Sequence, residues 1–223
     1  MEAESNEQTR RILTKRVRRS FDRAFFHRYY HAPGTAVASS DDVLKRARFV
    51  TSYLDHLQLD VQRVLDAGCG TGLWKRALRR IDSDIEYVGI DPSEYLCKRY
   101  GWTQSGIETF TSRRKFDLVV CQDVLQYVDD AAVTRSFEAI ARVCRGALYF
   151  DVPTRDDIDD GLLDMKRTDR AVRVRSAAWY RKRLMKDFVN VGGGVFLRRG
   201  ARAVALALER WEGSPPARRS PRS

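Results

Sequence analysis

Asp66, Gly68, Gly70 and Gly72 stand together in the run Val64-Leu65-Asp66-Ala67-Gly68-Cys69-Gly70-Thr71-Gly72, and the residue types are those of a ligand-binding loop. An apolar, β-type lead-in from Arg63 to Leu65 is followed by an acid, three glycines at alternate positions and the amphipathic run Leu73-Trp74-Lys75-Arg76-Ala77-Leu78. That order predicts a buried strand, a tight turn and the start of a helix. Glycine lets the backbone approach a ligand closely and adopt dihedrals that a Cβ forbids. The unpaired amides at the start of the helix add outward-facing donors. A dinucleotide loop needs G-x-G-x-x-G, but counted from Gly68 and Gly70 the third glycine falls on Leu73, so that fingerprint fails.

The next acid sits at a meaningful interval. Ile85-Glu86-Tyr87-Val88-Gly89-Ile90-Asp91 is a second apolar strand, and Asp91 follows Gly72 by nineteen residues. Over a βαβ unit that interval brings a carboxylate beside the first loop, where it can accept from two ribose hydroxyls. Phe116 to Cys121 and Gly146 to Val152 are two further apolar runs. The segments around 64–74, 87–96, 116–128 and 146–153 resemble, in order, the motifs of the class I S-adenosylmethionine-dependent methyltransferases, beginning with D-x-G-x-G-x-G. The resemblance covers roughly residues 40 to 211. It implies an α/β fold: a doubly wound, Rossmann-like, seven-stranded sheet, mostly parallel with one antiparallel strand and helices on both faces. It also implies S-adenosylmethionine as cofactor, held by Asp66, Gly68, Cys69, Gly70, Gly72, Asp91, Pro92, Ile107, Cys121 and Gln122. Many relatives place an acid just after the third strand to accept from the adenine amino group. Here that position is Gly106, followed by Ile107 and Glu108.

Methyl transfer from a sulfonium is a displacement in which the cofactor supplies the activated carbon, so the protein aligns the nucleophile and takes its proton where needed. The candidate bases are His27, His31, Asp123 and Asp151. No Asn/Asp-Pro-Pro-Tyr/Phe motif follows the fourth strand, which argues against transfer to amide or exocyclic base nitrogens. Cys121 lacks the Pro-Cys or Thr-Cys pairing of a pyrimidine-attacking thiolate and reads as a small apolar strand residue. Asp123 with Asp151 is too small an acidic set for the metal-dependent catechol type, and no metal site is expected. The expected function is methyl transfer to a small-molecule acceptor. Two alternatives stay open, an RNA methyltransferase and a non-catalytic S-adenosylmethionine-binding module.

The elements that must position these groups follow from patterning. Arg10 to His31 carries Leu13, Val17, Phe21, Ala24 and Phe25 at helical spacing and ends in the aromatic run Phe25 to Tyr30. Residues 1–39 are therefore expected as a helical, aromatic extension, and the resemblance implies that a segment so placed forms a lid, with Tyr29 and Tyr30 over the substrate. Residues 40–213 form the methyltransferase domain and 214–223 a basic tail. Helices are expected at 43–56, from the glycine loop to about Arg80, at 93–99 and at 131–143, with a short third strand near 102–105. The basic segment 166–183 reads as a helix with Trp179, Tyr180 and Leu184 buried, and its Arg175 is expected at the pocket mouth. Phe188 to Val191 and Ala203 to Leu208 are read as the last two strands, with Gly192 to Gly194 turning between them.

A chain of 223 residues is long enough to bury one large α/β core. The formal charge is +11. Residues 1–20 carry six bases against three acids and 215–223 three bases, so the ends account for +6 and the body for +5. Weak, non-specific polyanion binding follows from composition. Four scattered cysteines with no C-x-x-C pair indicate neither a disulfide framework nor zinc. With no apolar span and no signal peptide, a cytoplasmic protein without membrane contact is expected.

Overall fold

The computed structural model describes residues 39–163, 169 and 172–211. The expected helix over 10–31, His27, Tyr29, Tyr30, His31 and the tail from 214 lie outside the described residues. Helix α1 (Ser40–His56) starts where a capping box requires it: Asp42 N–H donates to Ser39 Oγ at 3.1 Å and Ser39 N–H to Asp42 Oδ2 at 3.1 Å. The chain then alternates β1 (Arg63–Ala67), α2 (Leu73–Ile81), β2 (Glu86–Asp91), α3 (Glu94–Tyr100) and β3 (Thr103–Gln104). It continues with β4 (Phe116–Gln122), α4 (Asp130–Val143), β5 (Cys144–Asp151), α5 (Arg155–Asp159), α6 (Ala177–Leu184), β6 (Phe188–Asn190) and β7 (Val195–Arg198). Ser93, Asp129, Thr154 and Ser176 cap the helices that follow them, each accepting a backbone N–H at the helix start.

The seven strands form one sheet in the order β3-β2-β1-β4-β5-β7-β6. Strands β1 to β5 are parallel, and β7 runs antiparallel to both β5 and β6. The apolar runs are buried because both faces of the sheet are covered. Period-2 alternation sends Leu65, Val119, Cys121, Leu148 and Phe150 to the core under α4 and α6. It sends Val64, Leu118, Val120, Ala147 and Tyr149 to the core under α1 and α2. At the lower edge Asp117 ties three strand starts together, accepting from Arg63 N–H at 2.9 Å, Gln62 N–H at 3.2 Å and Arg145 Nε at 2.6 Å. Only glycine fits at 146, where a Cβ would stand 2.2 Å from the Asp117 carbonyl oxygen.

The last strand is not where the alanine-rich run predicts it. Gly192–Gly194, all at positive φ, turn the chain so tightly that Val195 N–H donates to Gly192 O at 2.8 Å, and β7 begins at once. The residues 203–208 run outside the sheet, with Ala203 and Ala205 packed on the α1 side and Leu206 and Leu208 exposed. The free side of β6 meets Trp211 in an isolated bridge to Asn190 instead.

Candidate active site

Strand order reverses between β1 and β4, and the crevice at their carboxyl ends is where open α/β sheets bind ligands. The glycine loop lies there. Gly68, Gly70 and Gly72 have φ of 86°, 52° and 74°, a region that excludes ordinary side chains. Gly68 and Cys69 N–H both donate to Ile90 O, at 2.8 and 3.0 Å, so the loop is pinned to the end of β2. A Cβ on Gly68 would stand 2.4 Å from Val124 Cγ2, and one on Gly72 2.8 Å from the Trp102 ring. Trp102 Nε1 also donates to Gly70 O at 2.9 Å. No side chain caps α2, whose N-cap is Gly72, so its first-turn amides point at the crevice.

The crevice is a narrow cleft of about 50 Å³ lined by Asp66, Gly68, Cys69, Gly70, Gln122 and Asp123, with Val43 and Trp74 as apolar walls. Six residues expected to hold a cofactor or serve as base are thus gathered in one place. Gly72 caps the adjoining helix just behind it. Asp91 is 5% exposed and stands behind the loop, accepting from Gly70 N–H at 3.0 Å and Ser93 N–H at 2.8 Å. Burial pushes its carboxyl above the usual range, against the pull of those two amides. Pro92 is exposed beside it, and Ile107 is buried on a single 3-10 turn (Ile107–Thr109). Gly106 makes room for a neighbour: the Glu108 carboxylate folds over it, 2.9 Å from where a Cβ would be.

Cys121 requires a correction. It is fully buried in the α4-side core, its thiol pushed far up by burial, and its side chain does not line the cleft. Strand alternation explains this, since residue 121 points to the face opposite Val120, while Gln122 at the strand end reaches the cleft. Arg175 requires a second correction. Its side chain is 6% exposed rather than at a pocket mouth. The guanidinium donates to Asp130 Oδ1 at 2.8 Å, Val128 O at 2.6 Å, Leu125 O at 3.1 Å and the Tyr180 hydroxyl at 3.1 Å.

Three acids carry the electrostatics. Asp66 is 3% exposed, and Tyr87 Oη–H donates to its Oδ2 at 2.5 Å. Burial pushes its carboxyl up to about 7, Tyr87 pulls it down and Asp91 raises it further. An unfolded chain ionises this group near 4, so stability is full below that value and falls as pH climbs from about 4 towards 7. Asp66→Asn keeps an acceptor for Tyr87 and removes the cost of burying the charge. We expect it to be more stable than the parent by ~2–4 kcal/mol at pH 8, with the gap closing near pH 4. Urea unfolding of both proteins at several pH values measures this, and equal stability at pH 8 would show that Asp66 is ionised without penalty.

Asp123 holds a left-handed backbone, φ 56°, a region that aspartate enters more readily than most residues with a side chain. Its N–H donates to Asp151 O at 2.8 Å, and burial followed by repulsion from Asp151 lifts its carboxyl to about 6. Asp151, at the end of β5, faces Arg46 Nη1 at 3.5 Å; burial raises its carboxyl and Arg46 lowers it. A second cleft, about 500 Å³, opens beyond Asp151 between α6, the 192–194 turn and Trp211, with aromatic walls from Phe150, Tyr180 and Phe196. Asp123 lines the first cleft and Asp151 the second, and the bond from Asp123 N–H to Asp151 O ties the two positions together.

Several participants carry no local signature. Arg46 is one charge on a polar helix face, and Val124 is an ordinary apolar residue. Trp74, whose Nε1 donates to Gln122 Oε1 at 2.9 Å, lies within the amphipathic run after the loop but shows no role there. Among the described residues no group of three or more His, Cys, Asp or Glu could hold a metal ion, and no helix is long and apolar enough to cross a membrane.

Comparison with known proteins agrees with this arrangement. The ubiquinone biosynthesis O-methyltransferase of Bradyrhizobium diazoefficiens is 32% identical over 84 residues, 32% of this chain and 32% of that protein. The trans-aconitate 2-methyltransferase of Pseudomonas paraeruginosa is 28% identical over 92 residues, 38% of this chain and 34% of that protein. The chain thus spans about a third of the length of these curated relatives. Among solved structures, DesVI of Streptomyces venezuelae superposes with TM-score 0.59 at 15% identity, covering 84% of this chain and all of that one. An S-adenosylmethionine-dependent methyltransferase from Clostridium acetobutylicum does so with TM-score 0.56 at 15% identity, covering 78% and 95%. These two share the fold. A family model described as a methyltransferase domain matches residues 17–203, and the chain belongs to that methyltransferase-domain family.

Proposed function

We propose that this protein is an S-adenosylmethionine-dependent methyltransferase acting on a small-molecule acceptor. The observation that carries the reading is the left-handed glycine loop beside the buried pair Asp66 and Asp91, next to the uncapped start of α2. In this reading Asp91 accepts from the ribose hydroxyls. Asp66 and Asp123 face the methionine end, where carboxylates favour its ammonium group. Ile107 packs on the adenine, with Glu108 within reach of its amino group. The cofactor supplies the methyl carbon and a sulfur leaving group. The chain's own part is to fix the nucleophile in line and accept its proton, a role that falls to the Asp123–Asp151 pair lining the two clefts. The acceptor occupies the second cleft, whose rings suit a flat organic body and whose Asp151 and Asp157 make it unwelcoming to a polyanion. The free cysteines support a reducing, cytoplasmic setting.

Calorimetry should find micromolar binding of S-adenosylmethionine or its demethylated product and no comparable binding of NAD. Mass spectrometry of reactions with candidate acceptors should find S-adenosylhomocysteine formed in step with methylated product. Asp151→Asn should lower turnover about 10²- to 10⁴-fold while leaving cofactor affinity unchanged. NAD binding as tightly as the sulfonium overturns the cofactor reading, and unchanged turnover in Asp151→Asn removes it as the base.

A further inference from the structure

We infer that the edge of the sheet opposite the cofactor cleft binds the phosphodiester backbone of a single-stranded nucleic acid, independently of sequence. A shallow, open cleft of about 430 Å³ lies there, where β4 begins and α4 ends beside the start of β6. Its cations are Lys115, Arg142, Lys186 and Arg198, against Glu138 and Asp187. Arg198 is largely committed, with Nε donating to Ala141 O at 3.1 Å and Nη1 to Asp187 O at 2.8 Å. It also lies 3.6 Å from the Asp187 carboxylate, so this pair is self-neutralising. Lys115, Arg142 and Lys186 are exposed and, among the described residues, have no acidic partner within 4.0 Å. Exposed Arg113 and Arg114 precede Lys115, and Arg114 shares Glu86 with Arg63, leaving a surplus of positive charge along this edge.

The distribution of charge is what selects the ligand. At the cofactor edge the strand ends carry Asp66, Asp91, Asp123 and Asp151. The bases sit at the other end of the same strands. A polyanion is therefore drawn to the far edge by its unpaired cations. Among the described residues no unpartnered buried polar side chain lines the basic cleft, and each exposed contact contributes little alone. Binding therefore requires a ligand that repeats its phosphates, as a nucleic-acid strand does. A membrane is the poorer partner, because none of the exposed large apolar side chains, Phe49, Leu162, Val204, Leu206, Leu208 and Trp211, lines this cleft. The bound strand is not the methyl acceptor, since the sheet separates it from the cofactor.

Fluorescence anisotropy with labelled oligo(U) and oligo(dT) 20-mers tests this on the full chain at 50–200 mM salt. For the parent, log K should fall with log salt with a slope near −2, since three phosphate contacts contribute about −0.7 each. The triple variant Lys115→Gln, Arg142→Gln, Lys186→Gln should bind at least tenfold more weakly and with a flatter slope. Its affinity for S-adenosylmethionine, measured in parallel, should be unchanged and shows that it is folded. Arg218→Gln with Arg219→Gln and Arg222→Gln should bind like the parent. The inference is overturned if the triple variant matches the parent, or if only the tail substitutions matter. It is likewise overturned if phosphatidylserine vesicles, or tripolyphosphate at equal phosphate concentration, bind the same three residues as tightly as the oligonucleotides.

Discussion

Asp91→Ala is expected to weaken binding of S-adenosylmethionine by about 2–4 kcal/mol, roughly 30- to 1000-fold. Two losses add. A charged acceptor for two ribose hydroxyls goes, and so does the carboxylate that holds Gly70 N–H at 3.0 Å and Ser93 N–H at 2.8 Å, so the loop is no longer set for its ligand. The unliganded protein should lose much less, because burial holds the Asp91 carboxyl above its usual range and removing it relieves a desolvation cost. Asp91→Asn keeps one acceptor oxygen for Gly70 and should fall between the two. Calorimetric affinity beside thermal unfolding of the ligand-free protein separates the effects. If Asp91→Ala binds cofactor like the parent but unfolds far earlier, the residue is a loop anchor with no part in binding.

Arg175→Ala is expected to destabilise the protein by ~3–5 kcal/mol, because it leaves the carbonyls of Leu125 and Val128 without their donor, at about 1–3 kcal/mol each, and removes a packed side chain, whereas the Asp130 end of the ion pair is exposed and adds little. For a chain of this length that corresponds to a fall of roughly 8–15 °C in Tm. The guanidinium closes the carbonyls of Leu125 and Val128, which the short 3-10 turn (Leu125–Tyr127) leaves open, and joins them to α4 through Asp130 and to α6 through Tyr180. It also lies 4.9 Å from the Trp179 ring, whose face Arg183 covers at 3.3 Å. Lysine cannot reproduce that fork, so Arg175→Lys should recover little. A residue at a pocket mouth would behave differently, raising the Michaelis constant while the unfolding temperature stays put. Unchanged unfolding in Arg175→Ala would return it to that role.

Much of the candidate site is legible because the signals are local. Glycines at 68, 70 and 72 report a backbone conformation that the residue itself imposes. Asp91 reports its place through the fixed length of a βαβ unit, and apolar runs report burial because a parallel sheet is covered on both faces. Ser39, Ser93 and Asp129 mark helix starts, since a cap bonds within three residues of itself. Ala203 to Leu208 illustrates the opposite case. Its alanines favour a helix and the family's element order a strand, but strand formation needs a free edge in register, and the turn at 192–194 had already delivered Val195–Arg198 to β5.

The sequence by itself therefore determined the fold class, the loop, its acid partner and the reaction those residues suit. Only the tertiary structure decided that Arg175 turns inward to carbonyls some fifty residues earlier, that Cys121 faces the core, and that Asp123 and Asp151, each lining a different cleft, are joined by a backbone bond. It alone also assembled Lys115, Arg142 and Lys186 at the sheet edge opposite the cofactor cleft. The physical reason is range. Dihedral preference, capping and periodicity act within a few residues, whereas desolvation, ion pairing and cleft formation depend on which distant segments the packed sheet brings side by side.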